Sequence, residues 1–265
     1  MDFGMPTFIG KTLEECAEHC RSLGLQFVEV SMDFPEYQPE RINVDRFAEI
    51  AEKYGIYYTM HFEGALNPWE INDRAAAAYT ETVLDTVDIA KKLSIPVLNM
   101  HFPQGDFITL PDRKVCVYDE YPEEFRRKLT AFRDVCTEAI GDSDIKITVE
   151  NTRSFMVDFV GEGIGILLQS PVFGLTFDTG HDAAHGFQQF PFIERSLDRL
   201  CHMHLHDYSA ERGDHLPIGD GTLDIERYLK LAEQHNCRVL LETKTAEGVK
   251  LSAERMWEIF PFDKL

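Results

Sequence analysis

Short apolar segments rich in β-branched and aromatic side chains recur at 27–31, 57–62, 97–102, 145–151, 172–178, 200–206 and 239–243. Each has the length and composition of a buried strand. Between them, segments 12–23, 44–54, 73–93, 122–140, 190–200 and 224–235 space their apolar residues three and four apart, as helices with one buried face do. Gly24, Gly55 and Gly141 stand just past three of these segments, where a left-handed residue ends a helix. A weaker first strand at 3–8, interrupted by Gly4 and Pro6, completes eight β–α alternations. No linker, low-complexity stretch or break in composition divides the chain, so residues 1–265 read as one domain. Eight alternations in one domain predict a single α/β domain, a (β/α)8 TIM barrel. The rival doubly wound sheet has neither a GxGxxG nor a GxxxxGK motif to support it.

Polar residues interrupt this pattern in a regular way. Glu29, His61, His101, Glu150, Asp178, His204 and Glu242 close the second to eighth apolar segments. In a (β/α)8 barrel these C-terminal ends converge on the face that carries active sites. Any one such residue alone is more often a hydrogen-bonded structural group; their convergence carries the argument. The carboxylates of Glu150, Asp178 and Glu242, gathered with His204, would repel one another without a cation among them. This oxygen-rich donor set suits one divalent ion, Zn²⁺, Mn²⁺, Mg²⁺ or Co²⁺. His61 and His101, next to Glu150, offer a second ion site with Glu150 bridging, or hydrogen bonds to a substrate. On the seventh segment His202, His204 and His206 share one face. His202 is expected deepest and internally bonded, His206 at the rim bonding a loop, and Asp207 holding a histidine tautomer.

Charge narrows the partners. Lys and Arg total 26 against 46 Asp and Glu, a net charge of −20, which disfavours nucleic acid and anionic membranes. No apolar run approaches the roughly 20 residues of a membrane helix, and residues 1–10 lack a signal-peptide pattern, so a soluble cytoplasmic protein is expected. Six cysteines without a CxxC pair read as reduced thiols. The long segment 105–121, with Phe107, Tyr118 and Tyr121, is expected to lid the site. The sequence leaves a homo-oligomer open.

The ordered motifs Phe27-Val28-Glu29-Val30, Asn99-Met100-His101-Phe102-Pro103, Val149-Glu150-Asn151, Asp178-Thr179-Gly180-His181, Met203-His204-Leu205-His206-Asp207, His215-Leu216-Pro217-Ile218-Gly219-Asp220-Gly221 and Leu241-Glu242 together resemble the xylose isomerase-like TIM barrels. That group includes sugar isomerases, ketose 3-epimerases and the endonuclease IV type of abasic-site nuclease. The resemblance implies one divalent ion on Glu150, Asp178, His204 and Glu242. Glu150 and Glu242 would then move the proton of a sugar or sugar-phosphate substrate through a metal-stabilised enediolate. It implies substrate contact for His181. For the nuclease branch, with three zinc ions, it implies further ligands at His61, His101, His181 and His215. Two positions depart from the pattern. Ala210 stands where the epimerases carry an arginine, with Arg212 nearest, and Gly213 stands where the nuclease carries an aspartate, with Asp214 adjacent. The expected function is a metal-dependent sugar isomerase or epimerase. The alternatives are an endonuclease IV-like phosphodiesterase acting on abasic-site DNA and a barrel that binds without turnover.

Overall fold

The computed structural model describes residues 1–260. Eight strands form the barrel: β1 (Asp2–Pro6), β2 (Phe27–Ser31), β3 (Tyr57–His61), β4 (Val97–His101), β5 (Lys146–Glu150), β6 (Phe173–Asp178), β7 (Leu200–Leu205) and β8 (Arg238–Leu241). They close in the order β1-β8-β7-β6-β5-β4-β3-β2, and each pairs in parallel with both neighbours. The strands are therefore covered by helices outside and packed by side chains inside, which is why they are apolar at almost every position. Among the described residues no helix is long and apolar enough to cross a membrane. The six cysteines are free thiols.

Helices Val44–Tyr54, Asp73–Leu93 and Pro122–Ile140 have the expected bounds, and Leu13–Ser22 and Ile225–Gln234 are a residue or two shorter. The first begins with a capping box in which Thr12 and Glu15 satisfy each other's backbone amides. The segment 190–200 is not one helix: it forms Phe190–Glu194 and a turn at Leu197–Arg199, because Leu200 already belongs to β7. Helices Asp158–Leu167 and Ala246–Ile259 and the short helix Thr179–Ala184 were not anticipated. In Asp158–Leu167 the glycines at 161, 163 and 165 disguise the helical stripe. Gly163 is required there, since a Cβ would lie 2.5 Å from Phe102 Cζ and 2.9 Å from Phe125 Cζ. Ala246–Ile259 buries mostly small residues, Gly248, Ser252 and Ala253 among them, so its apolar face is faint.

Segment 105–121 does not lid the site. Residues Phe107–Thr109 and Lys114–Cys116 pair as a hairpin, and Tyr118 is buried, donating to the Trp69 carbonyl at 2.8 Å. The tyrosine hydroxyl needed a partner inside the protein, which anchors the segment on the loop after β3, and none of residues 105–121 lines the cavity at the barrel mouth.

Candidate active site

Register decides which side chains meet. His101 on β4 stands beside Glu150 on β5, and Asp178 on β6 stands beside His204 on β7. Glu242 follows the last residue of β8. Glu150, Asp178, His204 and Glu242 each bring one ligand atom to within 4.8 Å of the others. His204 Nδ1 is central, 2.9 Å from Glu242, 3.3 Å from Glu150 and 3.9 Å from Asp178. These approaches lack hydrogen-bond geometry, and both ring nitrogens of His204, like Glu242 Oε2, are buried without a hydrogen-bond partner. Unpaired polar atoms that converge away from water are costly unless something they can bind sits between them. Three carboxylates and an imidazole are the donors a divalent cation takes, so the residues fit the ion that the sequence implied.

A second group adjoins the first through Glu150, which His61 and His101 approach at 3.2 and 3.6 Å. His61 bonds through both ring nitrogens, to the Phe62 carbonyl at 2.7 Å and to Glu150, which requires two ring protons. Burial disfavours that charge, but Glu150 outweighs it and lifts the His61 pKa to about 9. Burial is likewise overcome at His181, where Asp178 and Glu150, 3.5 and 3.1 Å away, raise it to about 10. His204 is raised well above its ordinary value by Glu150, Glu29 and Glu242 against its own burial. Burial favours the protonated form of Glu150 and Glu242, yet the neighbouring histidines hold both well below the usual carboxylate range. Histidine protons and a divalent cation are thus alternative ways to neutralise the same carboxylates.

His215 faces Glu242 at 3.4 Å and is oriented by Asp214 at 3.0 Å. All eight singled-out residues therefore gather at one mouth. Around them opens a cavity of about 610 Å³, walled by residues 6–9, by Asp33 and Phe34, and by residues 243–246. That is room for a small polar molecule.

Several finer expectations change. Glu29 does not close β2; it lies two residues before the strand's last residue, Ser31, and is buried beneath the ring. His206 is not at a rim but fully buried. Its Nδ1 accepts from the His215 amide at 2.7 Å, so its proton is on Nε2, which donates to Asp178 at 3.0 Å. This bond and the His181 amide, 2.6 Å away, fix the Asp178 carboxylate. Asp207 holds no histidine; it accepts from the amides of Tyr208, Gly219, Gly221 and Leu223. Arg212 pairs with Asp220 at 3.4 Å outside the cavity, and the cation beside Glu242 is instead Lys244, at 2.8 Å. His202 is internally bonded as expected, to Glu29 at 2.9 Å.

Reading only strand ends missed the layer below. Thr176 donates to Thr148, Thr148 to Asn99, and Asn99 to Glu150 at 2.6 Å, a relay of hydrogen bonds that orients the Glu150 carboxylate. Each member lies two residues before a strand-end group, so the period-two rule applied once more points to it.

With this geometry established, comparison defines the class. Residues 17–259 match the family described as Xylose isomerase-like TIM barrel, and the chain belongs to that family. A relative, the uncharacterized protein MJ1614 of Methanocaldococcus jannaschii, is 25% identical over 218 residues, 80% of each chain. Among solved structures, a D-tagatose 3-epimerase-like protein superposes with a TM-score of 0.76 at 22% identity, covering 98% of this chain and 97% of that one. The IOLI protein with a bound zinc atom superposes with a TM-score of 0.75 at 14% identity, covering 98% of each. At such identities the structural likeness establishes the fold.

Proposed function

We propose that this protein is a divalent-metal-dependent isomerase or epimerase of a small sugar or sugar phosphate. Glu150, Asp178, His204 and Glu242 would hold the ion, one of Zn²⁺, Mn²⁺, Mg²⁺ or Co²⁺. When bound, it would polarise a substrate carbonyl and its neighbouring hydroxyl. The observation that carries the reading is the placement of Glu150 and Glu242. They come from β5 and β8, line the same cavity and approach one imidazole nitrogen at 3.3 and 2.9 Å. Both are held ionised, so either can take a proton from the carbon beside a carbonyl while the other returns one. Asn99 steadies Glu150 and Lys244 steadies Glu242. His101, His181 and His215 line the cavity, where their ring nitrogens can bond substrate hydroxyls. The fold shared with a D-tagatose 3-epimerase-like protein and with zinc-bearing IOLI supports the reading.

Incubation with a panel of ketoses and ketose phosphates in deuterated water tests it. Wild type should place solvent deuterium at the carbon beside the carbonyl. Glu242→Gln should not, even when its metal content, measured in the same sample, is kept by the amide oxygen. Exchange retained in a metal-loaded Glu242→Gln protein would remove this glutamate as proton carrier.

The group of His61, His101 and Glu150 favours a second reading, phosphodiester hydrolysis by two or more ions. Two zinc ions per chain, falling to one in His101→Ala, together with cleavage of an abasic-site duplex, would establish it. One ion in both proteins supports the isomerase.

A further inference from the structure

Under the ligand ring lies a buried carboxylate with no part in either proposed ion site. Glu29 on β2 is 2% exposed. Its Oε2 accepts from the Thr59 hydroxyl at 2.8 Å and from His202 Nε2 at 2.9 Å. Its Oε1 lies 3.1 Å from His204 Nε2, within ion-pair distance though off the line of a hydrogen bond, and that nitrogen, buried, has no other partner. The two oxygens therefore have different duties. Oε2 is occupied by two donors, and His202 Nδ1, buried without a partner, shows that the one proton of that ring serves Glu29. Oε1 is left for His204 alone.

We propose that Glu29 is a positioning residue that sets the tautomer of His204. It holds the ring proton on Nε2 and so leaves the Nδ1 lone pair facing Glu150, Asp178 and Glu242. The inference rests on the metal-dependent reading of the site. An ionised carboxylate has acceptors only, so the ring nitrogen that meets it must be the one bearing a proton. A neutral imidazole has one such proton, and fixing it at Nε2 decides that Nδ1 coordinates.

Glu29→Gln converts this control into its opposite. Thr59 and His202 both donate toward Oε2, so the amide oxygen takes that side and the amide NH₂ turns to His204 Nε2. That nitrogen must then accept, the proton moves to Nδ1, and the ligand atom is blocked. Partners of a ligating histidine typically change metal affinity by about 10- to 100-fold when replaced.

Two measurements test the assignment, neither of which uses activity. Zinc affinity of wild type and Glu29→Gln, measured by competition with a chromogenic chelator, should differ by about 10-fold or more while circular dichroism shows the same fold. The ¹⁵N-histidine spectrum of zinc-loaded wild type should show His204 coordinating through Nδ1 with a retained Nε2 proton. The spectrum needs no variant, so it decides the matter if Glu29→Gln does not fold. Wild type that binds zinc while Glu29→Gln matches it within about threefold, or a His204 that carries its proton on Nδ1, overturns the tautomer assignment alone. Wild type that binds no divalent ion overturns the metal reading and this inference together.

Discussion

Glu150 is the side chain on which the cluster turns: Asn99, His61, His101, His181 and His204 all approach it. Its demands set the pH behaviour. The His61 pKa rises from 6.5 to about 9 and that of His181 from 6.5 to about 10. A raised histidine stabilises fully below its unfolded value near 6.5, and that stabilisation is lost as pH climbs through the folded value. The shifts are worth on the order of 3 kcal/mol for His61 and 5 kcal/mol for His181, and they do not add because Glu150 serves both. Chelator-treated protein should therefore lose thermal stability steadily from about pH 6.5 to about pH 10, and saturating zinc should flatten the curve. A flat profile without zinc would show that these histidines are not charged. At this scale the strand-end carboxylates and histidines were legible, because a polar side chain ending an apolar run needs a reason. The roles of His206 and Glu29 were not, since which ring nitrogen carries a proton depends on the His215 amide and on depth within β2.

At the level of elements, the strands and the long helices were readable from periodicity, and the helices missed were those whose close contacts demand small residues. Asp158–Leu167 shows the cost of that economy. Gly163→Ala should destabilise the protein by about 1–3 kcal/mol in chemical denaturation, because the new methyl meets Phe102 and Phe125 rings with no room to retreat. The short helix Thr179–Ala184 is tied to the site instead. A Cβ on Gly180 would lie 2.0 Å from His206 Cε1, so Gly180→Ala should displace the ring that fixes Asp178. Its signature is divalent-ion affinity reduced about 10-fold, as for loss of a ligand's partner. Unchanged affinity in Gly180→Ala would show that His206 is dispensable for holding Asp178.

For the whole molecule, an ion held only by the folded barrel is a source of stability. At a free concentration 100 times its Kd it adds about 2.7 kcal/mol. With about 2–4 °C per kcal/mol for a chain of this size, zinc should raise Tm by about 5–10 °C, read by differential scanning calorimetry against a chelator control. The net charge of −20 acts at the same scale. It opposes the approach of a phosphate backbone, which agrees with a small molecule as the ligand proposed for the cavity.

The loop after β7 forms one wall of that cavity. Asp207 clamps four of the loop's amides, and the His215 ring lies flat on His206, 4.2 Å between centroids and 6° from parallel. A wall held at so many points should open rarely, so the amides of Gly219, Gly221 and Leu223 are expected among the slowest in the rim to exchange with deuterium. The rest of the opening is bordered by residues 7–9, 33–34 and 243–246, on the loops after β1, β2 and β8. The barrel mouth is thus framed unevenly, one jamb pinned by a buried aspartate and the others made of loops that this aspartate does not hold.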